Sequence, residues 1–246
     1  MNNIKIIISS IIGCCFVLGS IALGISFYHT KAPVKTVSVV GLAQKDFTSD
    51  LIVLEFEYKT KNMNLKTAYD SLKNQTKIVK EFIQSQGIAD NSVNFKAVNN
   101  SEDLRYEYDH ESGHSFMKFQ GYILTQKVRI ESTEIEKIEE FHRNIVGLLD
   151  KGITIETFEP YYYYTQLADL KIEMLAEASK DARHRAETIT KNAGAKLGKL
   201  KVANMGVFQI TAPNSNDEDY TWGGAFNINS KEKRATINMR LTYYVK

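Results

Sequence analysis

Cysteine is almost absent: the 246 residues hold two, Cys14 and Cys15, side by side in an apolar run near the N-terminus. The rest of the chain therefore has no disulfide framework, no thiolate metal site and no cysteine nucleophile, so a thiol peroxidase mechanism is excluded there. Proline occurs three times and glycine fourteen, which excludes collagen-like and proline-rich chains. Charge of one sign is lacking too. Against 29 Asp and Glu stand 31 Lys and Arg, a net +2 that gives no electrostatic footprint for nucleic acid. No G-x-S-x-G elbow, phosphate-cradling loop or dinucleotide fingerprint is present, and Gly223-Gly224 reads as a turn. What remains is an ordinary globular composition, 43% hydrophobic and 24% charged, long enough to bury a sizeable core.

The one long hydrophobic run is at the start. Ile6 to Tyr28 carries no charge. As a helix it would span about 35 Å at ~1.5 Å per residue, enough for a bilayer core of ~30 Å. Two readings compete: an uncleaved membrane anchor, and a signal peptide with Ala22-Leu23-Gly24 as its small-x-small cleavage site. Ile11-Ile12-Gly13-Cys14 is a poor lipoprotein box, because the apolar run continues well past its Cys. Lys5 on one side and Lys31 and Lys35 on the other barely select an orientation. A tiny tail before a large domain favours placing the domain outside the cytoplasm. The expected organisation is an anchor or signal segment over 1–30 and one domain over 31–246.

Beyond Pro33 the pattern alternates between strand and helix periods. Val37 to Gly41 opens a strand. Ile52, Leu54, Phe56 and Tyr58 then alternate with polar residues, the period of a half-buried strand. Asn64 stands as an N-cap before the stripe Leu65, Ala68, Tyr69, Leu72, Val79, Phe82 and Ile83, and Gly87 with Ile88 closes that helix. A short strand is expected over 93–98, an irregular or hairpin connection over 99–115, and a long strand over 116–131. Thr133-x-x-Glu136 matches a capping box ahead of Ile135, Ile138, Phe141, Ile145, Leu148 and Leu149, with Gly152 as the stop. Residues 153–164 read as a third long strand. A helix over 166–192 follows, with Leu167, Leu170, Met174, Ala178, Ala182, Ile189 and Ala193 inward. Strands over 199–211 and 235–245 flank a loop holding Asp217, Glu218 and Asp219. The fold class is α+β: mainly antiparallel sheets packed against three helices, preceded by the N-terminal helix. The recurring helix-then-strand order suggests two related halves.

His110-Glu111-Ser112-Gly113-His114 fits H-E-x-x-H, in which a helix sets two imidazoles on one face for zinc and the Glu activates water. Polar neighbours and flanking strand patterns argue for a solvated loop instead, and no catalytic, cofactor or metal residue is assigned. A helix over 108–116 would support a zinc-dependent hydrolase. His142 and His184 read as surface positions on helices. Tyr161 to Tyr164 are consecutive, so on a strand they split between its two faces. One pair is then core and the other faces solvent or a partner; with Tyr106, Tyr108, Tyr220 and Trp222 these aromatics read either as core and ordinary surface or as an interface.

The ordered set Val37-Ser38-Val39-Val40-Gly41-Leu42-Ala43, Ser49-Asp50, Gly121-Tyr122, then Ala178, Asp181, Ala182, Arg183, Ala186, Gly194 and Leu197-Gly198-Lys199 resembles the SIMPL-domain family, the YggE-like bacterial envelope proteins. The likeness covers essentially everything after residue 35. It departs at Ser49, where the family usually has Pro. The resemblance implies an exported or membrane-tethered protein in the bacterial cell envelope, with a periplasmic or other extracytoplasmic domain. It implies no established catalytic residues and no cofactor. It also implies assembly into a homo-oligomer, some members being ring- or bucket-like, and a link to stress tolerance. The expected role is thus non-enzymatic interaction or assembly, with the membrane and envelope proteins as partners and no nucleic acid. The rival expectations are the zinc hydrolase on His110, Glu111 and His114, and a small-ligand module with a tyrosine-lined cleft.

Overall fold

The computed structural model describes residues 13–25, 35–108, 113–213 and 224–246. Residues 13–25 form helix α1, exposed along its length. The remainder divides into two compact units, each assembled from separate stretches of chain, so they are not successive halves of the sequence. The chain passes from one to the other within four elements: β1 (Thr36–Thr48), α4 (Leu167–Asn192), β8 (Leu197–Thr211) and β9 (Glu232–Val245).

The larger unit, Ala43–Glu177 with Gly206–Asn238, is built on a six-stranded sheet. Its centre is β2 (Leu51–Asn62) against β5 (Ser115–Ser132), antiparallel from Ile52 opposite Ser132 to Asn62 opposite Tyr122. The outer edge of β5 carries β3 (Val93–Phe95) and β4 (Asn99–Tyr108), and the outer edge of β2 carries β6 (Ile155–Thr157) and β7 (Tyr161–Tyr163). Ile52, Leu54, Phe56 and Tyr58 are buried, as the alternation requires, beneath α2 (Leu65–Ser85) and α3 (Ile135–Asn144). Asn64 caps α2, its side chain accepting the Thr67 N–H at 3.2 Å. Gly87, at φ +72°, turns the chain out and Ile88 is buried beside it.

Several expectations fail for local physical reasons. The 153–164 strand is broken in two. Between the two registers three residues, 158–160, stand opposite two, Leu54 and Glu55, and the buried Pro160 has no N–H for the ladder. Of the irregular or hairpin connection expected over 99–115, the hairpin forms: 99–108 is β4, antiparallel to β5 with a register shift between Glu102 and Leu104. The strand expected over 93–98 stops at Phe95. The Thr133–Glu136 capping box does not form. The helix begins at Ile135, Ser132 Oγ accepts the Glu134 N–H, and the Glu136 carboxylate is taken by Lys231 at 2.9 Å. That helix also tightens into a 3₁₀ stretch over Ile145–Lys151 before Gly152. Leu65, Tyr69, Leu149, Ile189 and Ala193 are exposed rather than inward.

The smaller unit takes up to Leu42, Ala178–Met205 and Met239–Lys246. It holds parts of the three-stranded sheet ordered β1-β9-β8 and the C-terminal half of α4. Along α4 the buried row is Leu170, Met174, Ala178, Ala182, Ala186 and Thr190, a single i±4 ridge. Thr190, not Ile189, ends it because its hydroxyl bonds back to the Ala186 carbonyl at 2.9 Å.

Candidate interaction surfaces

Five of the residues that carry the family likeness, Gly41, Leu42, Ala178, Asp181 and Ala182, meet in one contact of the smaller unit. Gly41 lies against α4 so closely that a Cβ there would sit 2.1 Å from the Ala178 carbonyl oxygen and 2.5 Å from the Ala182 nitrogen. The fully buried Ala178, Ala182 and Ala186 leave the thin layer this approach needs. Asp181 completes it: Oδ2 accepts the Leu42 N–H at 2.9 Å and the Arg185 Nε–H at 2.8 Å. Those two donors, the backbone one foremost, hold its carboxyl below the ordinary range. The alanine face is thus spent on its own sheet and is not free for a partner.

In the larger unit the turn between β1 and β2 explains the departure from Pro. Ser49 donates its N–H to the Lys231 carbonyl at 3.0 Å, a bond proline could not make. Its buried hydroxyl has no partner among the described residues. Asp50 accepts both the N–H and the hydroxyl of Thr165, each at 2.7 Å.

The sequence-level metal motif is not assembled in the described residues. His110, Glu111 and Ser112 lie outside them, and Tyr108, Ser115 and Phe116 are strand residues, with Tyr108 opposite Ser115. None of the described residues of 108–116 is helical. Among the described residues no group of three or more His, Cys, Asp and Glu is placed to hold a metal. His184 is exposed and His142 half-buried. Of the tyrosines, Tyr161, Tyr162 and Tyr163 pair with β2 and all are half-buried. Tyr162 packs on the core and donates its hydroxyl to Glu139 at 3.0 Å; burial first, then that carboxylate, pushes it up to about 12. Tyr164 packs against Phe47 at 4.8 Å between ring centroids. Tyr106 and Tyr108 are exposed, while Tyr220 and Trp222 lie outside the described residues.

Two surfaces stand out instead. The first is β8, fifteen residues at the edge of the three-stranded sheet. Leu200, Val202, Met205 and Val207 on it are between 41% and 64% exposed. An edge strand offers a row of unpaired N–H and C=O groups to another chain, and natural edges are usually blunted by charge. The second is a pair of clefts, about 320 and 370 Å³, on the flank of α2 that faces β3 and residues 96–98. Lys80 lines both, Lys73 and Lys77 line the second, and the apolar lining comes from Leu72, Ile83 and Phe95 among others. Lys73, Lys77 and Lys80 are spaced i, i+4 and i+7, one face of a helix. That spacing was legible in the sequence; the cleft beside it depends on where β3 lies.

The family model for SIMPL, described as a protein of unknown function (DUF541), matches residues 37–243. No curated protein matches the chain.

Proposed function

Because the chain belongs to the SIMPL family, we propose that it is a non-enzymatic assembly protein of the bacterial cell envelope, tethered through residues 6–28 and associating with copies of itself. The observation that carries this reading is β8, an edge strand taken by residues 225–227 only at its Ile210 end, with Leu200, Val202 and Met205 exposed among the described residues. Pairing with a second chain would satisfy the backbone groups left open short of Ile210 and shield the side chains beside them on either face. The exposed α1, with Phe16, Leu18 and Leu23 more than 60% accessible, supports the tether. An extracytoplasmic domain accords with its lack of cysteine.

The test is the native mass of the full chain in mild detergent, prepared without chelator. A metal-free multimer that falls to smaller species in Val202→Lys/Met205→Lys is expected. A monomer across the concentration range overturns the assembly reading. A monomer holding one zinc, lost on His110→Ala, replaces it with the hydrolase.

A further inference from the structure

We propose that the lysine-lined groove on α2 receives the acidic segment 214–223 of a second copy of this chain. The inference rests on the assembly reading above and names a contact by which copies would join.

The groove and the segment are chemically matched. Lys73, Lys77 and Lys80 line the groove. Lys80 sits over the Phe95 ring at 5.0 Å, and Tyr69 and Val98 add exposed apolar surface. Two acids lie nearby. Asp90 is engaged by the Gln84 amide at 3.1 Å, and Glu81 lies 4.0 Å from Lys77. The segment carries Asp217, Glu218 and Asp219, then Tyr220 and Trp222, with no Lys or Arg. The three lysines rise along the helix in steps of about 6 and 4.5 Å. Alternate side chains of an extended strand stand about 6.6 Å apart, so Asp217 and Asp219 can meet two lysines at once. The aromatics that follow suit the apolar lining.

Topology makes the contact intermolecular. Both ends of the segment are fixed at the β7 edge of the sheet. The Ile210 N–H donates to the Ala225 carbonyl, the Asn227 N–H to the Ile210 carbonyl and the Tyr162 N–H to the Ile228 carbonyl. The groove is at the opposite edge, beside β3. Three inter-strand spacings, about 14 Å, separate the edges, and α2 and α3 cover the sheet between them. The fourteen residues between the anchors Ile210 and Ala225, leaving and returning to one edge, reach about 25 Å at full extension. A path that climbs about 10 Å from the sheet and then crosses two helices, each about 10 Å across, is longer than that. A contact between opposite edges of two copies is head-to-tail, the kind that closes rings or runs on as filaments.

The experiment measures the self-dissociation constant of the full chain in detergent by sedimentation, at several salt concentrations. Four proteins are compared: wild type, Lys73→Glu/Lys77→Glu/Lys80→Glu, Asp217→Lys/Glu218→Lys/Asp219→Lys, and the two sets combined. Each single set should weaken association at least tenfold, and the combination should recover most of it. The recovery also shows that neither set acts by unfolding the chain. Single sets that leave the constant unchanged, or a combination weaker than either, overturn the inference while assembly through β8 stands. A loss from the groove set alone assigns the groove to an acidic segment other than 214–223 and also overturns it. A wild-type monomer overturns the assembly reading itself.

Discussion

At Gly41 the absence of a side chain is a packing requirement. A methyl group there would overlap the Ala178 carbonyl and the Ala182 amide, and neither backbone group can rotate away. Gly41→Ala should therefore cost about 3 kcal/mol, the upper end for over-packing. Gly147→Ala is the control. Its Cβ would meet only the Phe82 ring at 3.6 Å, so the change should be neutral or stabilise by about 0.5 kcal/mol through the unfolded chain. Urea midpoints of both variants decide this, and equal midpoints would refute the close approach. Lys233 poses a different question, since it is 2% exposed with no carboxylate among the described residues bonded to it. Its ammonium donates to the Asn227 and Ser230 carbonyls at 2.6 and 2.7 Å. Burial pushes its pKa down to about 8. An unfolded lysine titrates near 10.4, so between those values the unfolded chain holds more protons than the folded one. Stability then rises with pH across that window. The neutral amine keeps two N–H groups for the two carbonyls, so losing the charge need not lose a bond. Wild type should gain on Lys233→Met between pH 8 and 10 in denaturant titrations; a pH-independent gap would show that Lys233 does not titrate there.

Helix starts separate what local sequence encodes from what tertiary partners decide. Asn64 caps α2 through its own side chain, a bond within three residues, and it was legible. Thr133 and Glu136 carry an equally good signature, yet Lys231, ninety-five residues on, takes the glutamate. Asn64→Ala should cost about 1 kcal/mol. Thr133→Ala should stay within about 0.5 kcal/mol, as at an ordinary surface position, and Ser132→Ala should exceed it. Thermal melts of the three variants give the ranking, and a Thr133→Ala loss as large as that of Asn64→Ala would restore the capping box. The same division runs through the fold. Period-two alternation located β2, β5 and β9 because each buries one face. It failed at β4, whose residues are nearly all exposed or half-exposed and leave no apolar signature. It also failed at 153–164, where both faces carry apolar residues and the break depends on register against β2. Of the candidate surfaces, the apolar content of 199–211 was visible, but its exposure follows from an edge position that no local pattern encodes.

At the scale of the whole molecule, the proposed tether would set where the proposed assembly can occur. The described part of helix α1, residues 13–25, spans about 20 Å against the ~30 Å of a bilayer core. Among the described residues no helix is long and apolar enough to cross a membrane. The uncharged run continues on both sides of α1, over 6–12 and 26–28, and those stretches lie outside the described residues. Cleavage after Gly24 would leave Ile25, Phe27 and Tyr28 as an exposed apolar N-terminus, whereas retention keeps the run in lipid. Retention is therefore the expected outcome, with the full-length chain in the membrane pellet after alkaline carbonate. Lysine near the middle of a span costs about 2.5–3.5 kcal/mol, so Leu18→Lys/Ile21→Lys removes roughly 5–7 kcal/mol and should shift the chain to the supernatant. A soluble wild-type chain whose mass begins at Ile25 would refute the anchor and establish the signal peptide. In that case assembly would have no membrane plane to confine the copies, and the β8 edge would have to act at bulk concentration. Retention in the membrane raises the effective concentration of every copy beside its neighbours, which lets weak edge and groove contacts add up.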